Sequence, residues 1–134
     1  MNYWIISLPR PDMAHCIQIG TFGLNRKYLI GKAEPGDKVA CYVTKENRII
    51  ALGTVTKGYY LDDKKIFKGD GLFPDRFDFT AKPLGAAEID FKTMVDDLDF
   101  ITNKLYWSVF LRAGVAQIPK KDWELIESKA GAKV

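Results

Sequence analysis

The sequence predicts an α+β fold, a mixed, curved β-sheet or pseudo-barrel with flanking short helices. Three observations predict it. Apolar runs of strand length crowd the middle of the chain, the helical patterns between them are short, and one longer amphipathic helix closes the sequence. The elements do not alternate as the regular strand–helix–strand units of a parallel α/β fold would.

Each element follows from local chemistry. "YWIISL", residues 3–8, is aromatic and β-branched, and Pro9 with Pro11 ends it as a first strand. Asp12 is placed to cap a short helix through "DMAHCIQI", with Met13, Cys16 and Ile17 on one face and Gly20 as its stop. "RKYLIGKA" is a second short helical stretch, closed by "EPGD", where proline presets φ and glycine supplies a positive φ. "KVACYVT" and "RIIALGTVT" form a hairpin about "KENR", with Gly53 marking a bulge or a close backbone approach.

Beyond the hairpin, "YYLDDKKIFKGDG" reads as a long connection with one helical turn and a glycine-rich tip. "DRFDFTAKP" alternates, placing Phe77, Phe79 and Ala81 on one face and Arg76, Asp78 and Thr80 on the other. "FKTMVDDL" reads as a short helix and "YWSVFL" as a strand. "PKKDWELIESK" reads as the closing helix, with Pro119 in its first turn and Trp123, Ile126 and Glu127 at helical spacing. Trp4 and Trp123 are expected in the core.

At 134 residues the chain suits one domain, 1–134, able to bury about two thirds of its unfolded surface. The apolar start is too short for a signal peptide or a membrane span, so a cytoplasmic protein without a membrane partner is expected. Cys16 and Cys41 lack CxxC spacing and read as reduced core thiols; with a single histidine they form no zinc set, so neither metal nor cofactor is expected. Net charge is +3, and residues 1–67 carry ten basic against six acidic side chains, so a polyanion is drawn mainly to that half.

Catalytic templates are missing. There is no Walker A loop, GxGxxG or GxSxG, and His15 and Cys16 are adjacent on a predicted helix, pointing about a hundred degrees apart. Glu88, Asp90, Asp96, Asp97 and Asp99 match no metal loop and read as a solvated face. No enzyme activity is expected. What the sequence offers instead is aromatic residues beside polar ones at strand ends and loops: Phe22 by Gly23 and Asn25, Tyr42 by Thr44, Trp107 by Ser108, and Arg76 by Phe77. Rings can sandwich a base while amides and hydroxyls read its edge, although each ring taken singly also suits a core. In "TFGLNRKY", Gly23 lets backbone approach a ligand, Phe22 supplies a plane, Asn25 reaches a base edge, and Arg26 and Lys27 meet phosphate.

The segments "NYWIIS", "TFGLN", "EPGDKVACYVT", "ALGTVT" with "YYLD", "FPDRF" and "DLDFITNKLYWSVFL" together resemble, in order and spacing, the EVE domain of the PUA-like superfamily, and are more distantly similar to the YTH domain. The resemblance implies a PUA-like curved sheet with a pocket for one base. YTH relatives recognise N6-methyladenosine in RNA, and some EVE domains are implicated in binding modified cytosine in DNA. It maps base-binding positions onto Ser7, Phe22, Gly23, Leu24, Asn25, Tyr42, Thr44, Tyr60, Arg76 and Trp107. Many EVE domains carry tryptophan where this chain has Phe22. The function so implied is a non-catalytic reader holding one base, modified or unpaired, of DNA or RNA. The alternatives are a small-molecule or nucleotide-binding domain, and a protein-interaction module using Tyr59, Tyr60 and Phe67 as an exposed loop.

Overall fold

Residue parity along the central strands decides which side of the sheet each side chain joins, and both sides are covered. The computed structural model describes residues 1–67 and 71–131, with the backbone alone of Tyr28. Among the described residues the strands are β1 (Tyr3–Leu8), β2 (Thr21–Leu24), β3 (Lys38–Val43), β4 (Arg48–Leu61), β5 (Asp75–Pro83), β6 (Ile89–Asp90) and β7 (Val115–Ile118). The α-helices are α1 (Arg10–Ile19), α2 (Lys27–Ile30) and α3 (Lys120–Gly131). The sheet runs β2-β5-β4-β3-β1-β7, with β6 paired to the start of β4. Only β1 and β3 are parallel among the described pairs.

Trp4 and Ile6 of β1 join Val39, Cys41 and Val43 of β3 in one apolar layer, with Phe22, Phe77 and Phe79. Ile5, Ala40 and Tyr42 go to the opposite layer, closed by Phe91, Met94, Leu98, Leu111, Trp123 and Ile126. Strands buried on both faces read as unbroken apolar runs, which is why these two lack alternation. The sheet curls because its long strand is bulged. Ile50 is an extra residue opposite the Cys41–Tyr42 step, and the pairing of β4 with β5 slips twice between Val55 and Tyr60. At Gly53 the backbone of β5 comes so near that any Cβ would overlap the Thr80 carbonyl, so the close approach expected there is found.

The hairpin, the first strand, the closing helix and the Gly20 stop, with φ 74, all appear as expected. Others are corrected. α1 begins two residues before Asp12, because Pro9 and Pro11 preset helical entry, and Asp12 lies inside the first turn with no capping bond. Much of the connection expected at "YYLDD" continues β4 as far as Leu61; the tip at 68–70 lies outside the described residues. "FKTMVDDL" folds as two 3-10 turns, Phe91–Thr93 and Val95–Asp97. "YWSVFL" is a 3-10 helix over Trp107–Leu111 rather than a strand: Leu111 is buried while Tyr106 and Val109 are exposed, and no period of two survives. β2 and β7 were not anticipated.

Candidate nucleic-acid interface

Ser7, Tyr42 and Thr44 stand together at the carboxyl ends of the parallel pair. Ser7 is the register partner of Tyr42, and strand parity puts both on the side of the second apolar layer. The main-chain N–H of Thr44 donates to Leu8 O at 3.0 Å, fixing the end of β3 to the end of β1. Beside them opens a cavity of about 160 Å³ lined by Tyr42, Thr44, Lys45, Asn47, Ser108, Leu111 and Arg112. The Ser7 hydroxyl is buried and has no hydrogen-bond partner. Leaving such a group unpaired costs roughly 1–3 kcal/mol; Ser7 itself does not line the cavity.

The hairpin loop Thr44–Asn47 shapes one wall. Lys45 and Asn47 are both left-handed, at φ 70 and 56, a region that asparagine tolerates and lysine adopts at a cost of about 1 kcal/mol. Backbone bonds hold the loop: Asn47 N donates to Val43 O at 3.0 Å and Phe91 N donates to Asn47 O at 2.9 Å. The Tyr42 hydroxyl donates to Asn47 Oδ1 at 2.6 Å, which turns the Asn47 amide so that its NH₂ is free to donate. Burial pushes the Tyr42 phenol up to about 12, so it keeps that proton. Glu46, between the two left-handed residues, is drawn away. Arg10 holds its carboxylate through Nε at 2.9 Å and Nη2 at 2.7 Å, and also reaches Glu88 at 3.2 Å.

Trp107 does not line the cavity. It packs against Phe91, with ring centres 5.7 Å apart, and Phe91 meets Tyr42 edge-on at 5.0 Å, so Trp107 backs the site through one intervening ring while its neighbour Ser108 faces the opening. Phe22 is placed elsewhere. It is fully buried in the other layer, 5.4 Å from Phe77, and cannot offer a plane to a guest. Gly23 permits close approach, but to the Phe73 carbonyl, which a Cβ would meet at 2.8 Å, and not to a ligand. The expected sandwich of rings is therefore replaced by a cavity with a single aromatic wall, because Phe22 and Tyr42 lie on opposite faces of the sheet.

Tyr60 and Arg76 are also engaged in the fold. Tyr60 donates to Asp78 Oδ1 at 2.5 Å, and Thr21 donates to the same oxygen at 2.9 Å. Tyr59 donates to Asp75 at 2.6 Å, so these tyrosines belong to β4 and not to an exposed loop. Arg76 is 1% exposed; it donates to the carbonyls of Phe73 at 3.0 Å, Leu72 at 2.9 Å and Lys64, with Asp62 at 3.6 Å. Its Nε and Nη2 donors are spent on backbone carbonyls, and its Nη1 faces Asp62.

Asn25, Arg26 and Lys27 are exposed around a shallow cleft shared with Gly31 and Lys32. Gly114 touches the ends of both β1 and β2. At φ 89 its carbonyl accepts the Ser7 N–H at 2.8 Å, and a Cβ there would come within 3.1 Å of Leu24 Cδ2, immediately before Asn25. Lys32, Lys45, Asn47, Leu111 and Arg112 were not singled out from the sequence. Asn47 alone carried a signal, as the residue suited to a left-handed turn in "KENR"; Leu111 and Arg112 arrive by a long-range contact that no local pattern encodes.

A curled mixed sheet with helices on its flanks defines an α+β half-barrel of the PUA-like class. The chain belongs to the EVE domain family, which residues 2–129 match. It is 32% identical over 143 residues to UPF0310 protein PH1033 of Pyrococcus horikoshii, covering 95% of this chain and 97% of that protein. Its fold is similar to that of human THYN1 protein in complex with 5-methylcytosine containing DNA, at TM-score 0.62 and 12% identity, covering 97% and 98% of the two chains. It is likewise similar to the Mmi1 YTH domain, at TM-score 0.68 and 9% identity, covering 98% and 76%. Such identities establish a shared fold.

Proposed function

We propose that this domain is a non-catalytic nucleic-acid reader that takes one base, modified or unpaired, of DNA or RNA into the cavity at the carboxyl ends of β1 and β3. The observation that carries this reading is the cavity walled by Tyr42 and Thr44 at the end of β3 and closed by Asn47 and Ser108. Its volume of about 160 Å³ holds roughly five waters' worth of liquid and falls well below the roughly 300 Å³ at which clefts for larger ligands begin, a size suited to one heterocycle. Hydroxyls and an amide in its wall suit a base edge, and Lys45 and Arg112 suit the flanking phosphates. None of the described lining residues is a cysteine, histidine or carboxylate. The THYN1 structure with 5-methylcytosine containing DNA supports a base as the guest.

The one ring in the wall, Tyr42, is buried and met edge-on by Phe91, so it offers a guest less than the roughly 1–3 kcal/mol of an open stacking face and does not offset the few kcal/mol that extruding a paired base costs. An unpaired strand is the favoured partner. The test is titration of labelled single-stranded DNA and RNA against the wild type and Ser108→Trp, whose exposed site lets the indole fill the cavity without disturbing the core. The variant is expected to lose tenfold or more in affinity, an order of magnitude set by about 1.4 kcal/mol. Undiminished binding by Ser108→Trp would remove the base from this cavity.

A further inference from the structure

The 3-10 helix Trp107–Leu111 presents three rows of side chains. In such a helix residues three apart eclipse, and backbone bonds tie them in sequence: Val109 N donates to Tyr106 O at 3.1 Å and Arg112 N donates to Val109 O at 3.3 Å. Trp107 and Phe110 form the row packed on the second apolar layer, while Ser108 and Leu111 form the row that lines the cavity. The third row is turned to solvent. Tyr106 is 62% exposed and Val109 49%, and Arg112, which also lines the cavity, is exposed at the end of the row. A ring, an aliphatic side chain and a guanidinium thus follow one another at steps of about 6 Å.

Two observations give this row an occupant. Among the described side chains Tyr106 is the only aromatic one that is exposed, whereas Tyr42, the ring inside the cavity, is 2% exposed and met edge-on by Phe91. The open stacking face therefore lies outside the cavity. It is also held in place: Asn103 Oδ1 accepts from the main-chain N–H groups of Leu105 and Tyr106 at 3.2 Å each, and Lys104 Nζ anchors the turn to Leu98 O at 2.6 Å and Val95 O at 3.1 Å. The second observation is charge. From Phe100 to Lys121 the chain carries no Asp or Glu but four cations, Lys104, Arg112, Lys120 and Lys121, and among the described residues Arg112 has no ion pair. A ring beside an unpaired guanidinium in a stretch free of carboxylates suits a base and its phosphate, whereas an apolar protein surface laid on the row would bury that charge without a partner.

We infer that this outer row is a second nucleotide subsite: the base next to the one in the cavity stacks on Tyr106 and Val109, and the phosphate joining the two nucleotides meets Arg112, at the corner where the row adjoins the cavity. This rests on the reading of the cavity as a base site. Stacking accepts any base, so the outer subsite adds affinity and sets the direction in which the strand leaves the cavity, without reading sequence.

The experiment uses labelled single-stranded DNAs of one length and one backbone charge, abasic except for one central base, each of the four in turn, or for that base and a single neighbour on its 5′ or its 3′ side. The wild type is expected to bind one of the two-base strands about tenfold more tightly than the one-base strand. Tyr106→Ala, a change at an exposed side chain, is expected to lose that gain while binding the one-base strand as wild type does, and Tyr106→Phe is expected to keep it. Arg112→Gln is expected to weaken every strand alike and to lower the slope of log affinity against log salt by about 0.7. A second base that adds nothing on either side overturns the inference, as does a gain that survives Tyr106→Ala. Loss of a concentration-dependent dimer in Tyr106→Ala, seen by sedimentation while the gain persists, would give the row to a second copy of the chain. If Ser108→Trp blocks the one-base strand while the second base adds nothing, the base site stands and only the outer subsite falls; if Ser108→Trp binds the one-base strand as wild type does, both fall.

Discussion

The indole N–H of Trp4 donates to the Asp37 carboxylate at 3.1 Å, in a position 1% exposed to solvent. The same carboxylate accepts from Asn2 N at 2.9 Å, Asn2 Nδ2 at 3.1 Å and Glu34 N at 2.9 Å, so one side chain ties β1 to the turn before β3. Burial opposes its charge, but these donors outweigh burial and hold the carboxyl below its ordinary value. A carboxyl with a depressed folded pKa stabilises the fold fully above its unfolded pKa, about 3.9, and that stability disappears as pH falls through the lower folded value. Asp37→Asn is expected to cost about 2–3 kcal/mol near neutral pH, with a smaller deficit in strong acid. Urea denaturation at the two pH values measures this. A deficit that does not shrink in acid would show that the charge is not what matters.

Phe22 and Arg76 separate stability from recognition. Phe22→Leu leaves a partly filled space in the core and is expected to cost about 1–2 kcal/mol. Arg76→Met leaves buried carbonyls and Asp62 without their donor and is expected to cost about 3–5 kcal/mol; Arg76→Lys rescues little, since a single ammonium cannot span the spread of acceptors that the planar fork reaches. Both folded variants are expected to bind oligonucleotide within about twofold of wild type, a difference under 0.5 kcal/mol. A folded Phe22→Leu protein with binding lost would return that ring to the recognition surface.

The exposed cleft at Arg26, Lys27 and Lys32 is expected to take phosphates on one side of the base. For a single strand each neutralised phosphate contributes about 0.7 to the slope of log affinity against log salt. Arg26→Gln and Lys32→Gln are each expected to lower the slope by about that amount while leaving preference among bases unchanged. The readout is anisotropy titration across a salt series. A slope unaltered by either change would place the strand elsewhere.

Much of the scaffold was legible because its determinants are local. Gly20 had to end α1, "KENR" had to turn, and Phe77 with Phe79 had to share a face. "YWSVFL" was not, because its apolar residues suit a strand and a 3-10 turn equally, and packing against Phe91 and the second layer chose between them. At the site, Ser7, Tyr42 and Thr44 were identified and are found together, whereas Phe22 was assigned to the same wall and lies behind the sheet.

By itself the amino-acid sequence determined the periodicity of the strands and the places where the chain must turn, since these depend on neighbours a few positions apart, and, through the order and spacing of its short motifs, the family to which it belongs. Only the tertiary structure decided which chemical groups meet. The parallel pairing of β1 with β3 brings Ser7 beside Tyr42, and the distant segment at Ser108, Leu111 and Arg112 completes the cavity. The same folding draws Glu46 onto Arg10 and leaves Lys45 to the opening. Charge and hydrogen-bonding capacity at a point in space are sums over residues remote in sequence, and no local pattern carries that sum.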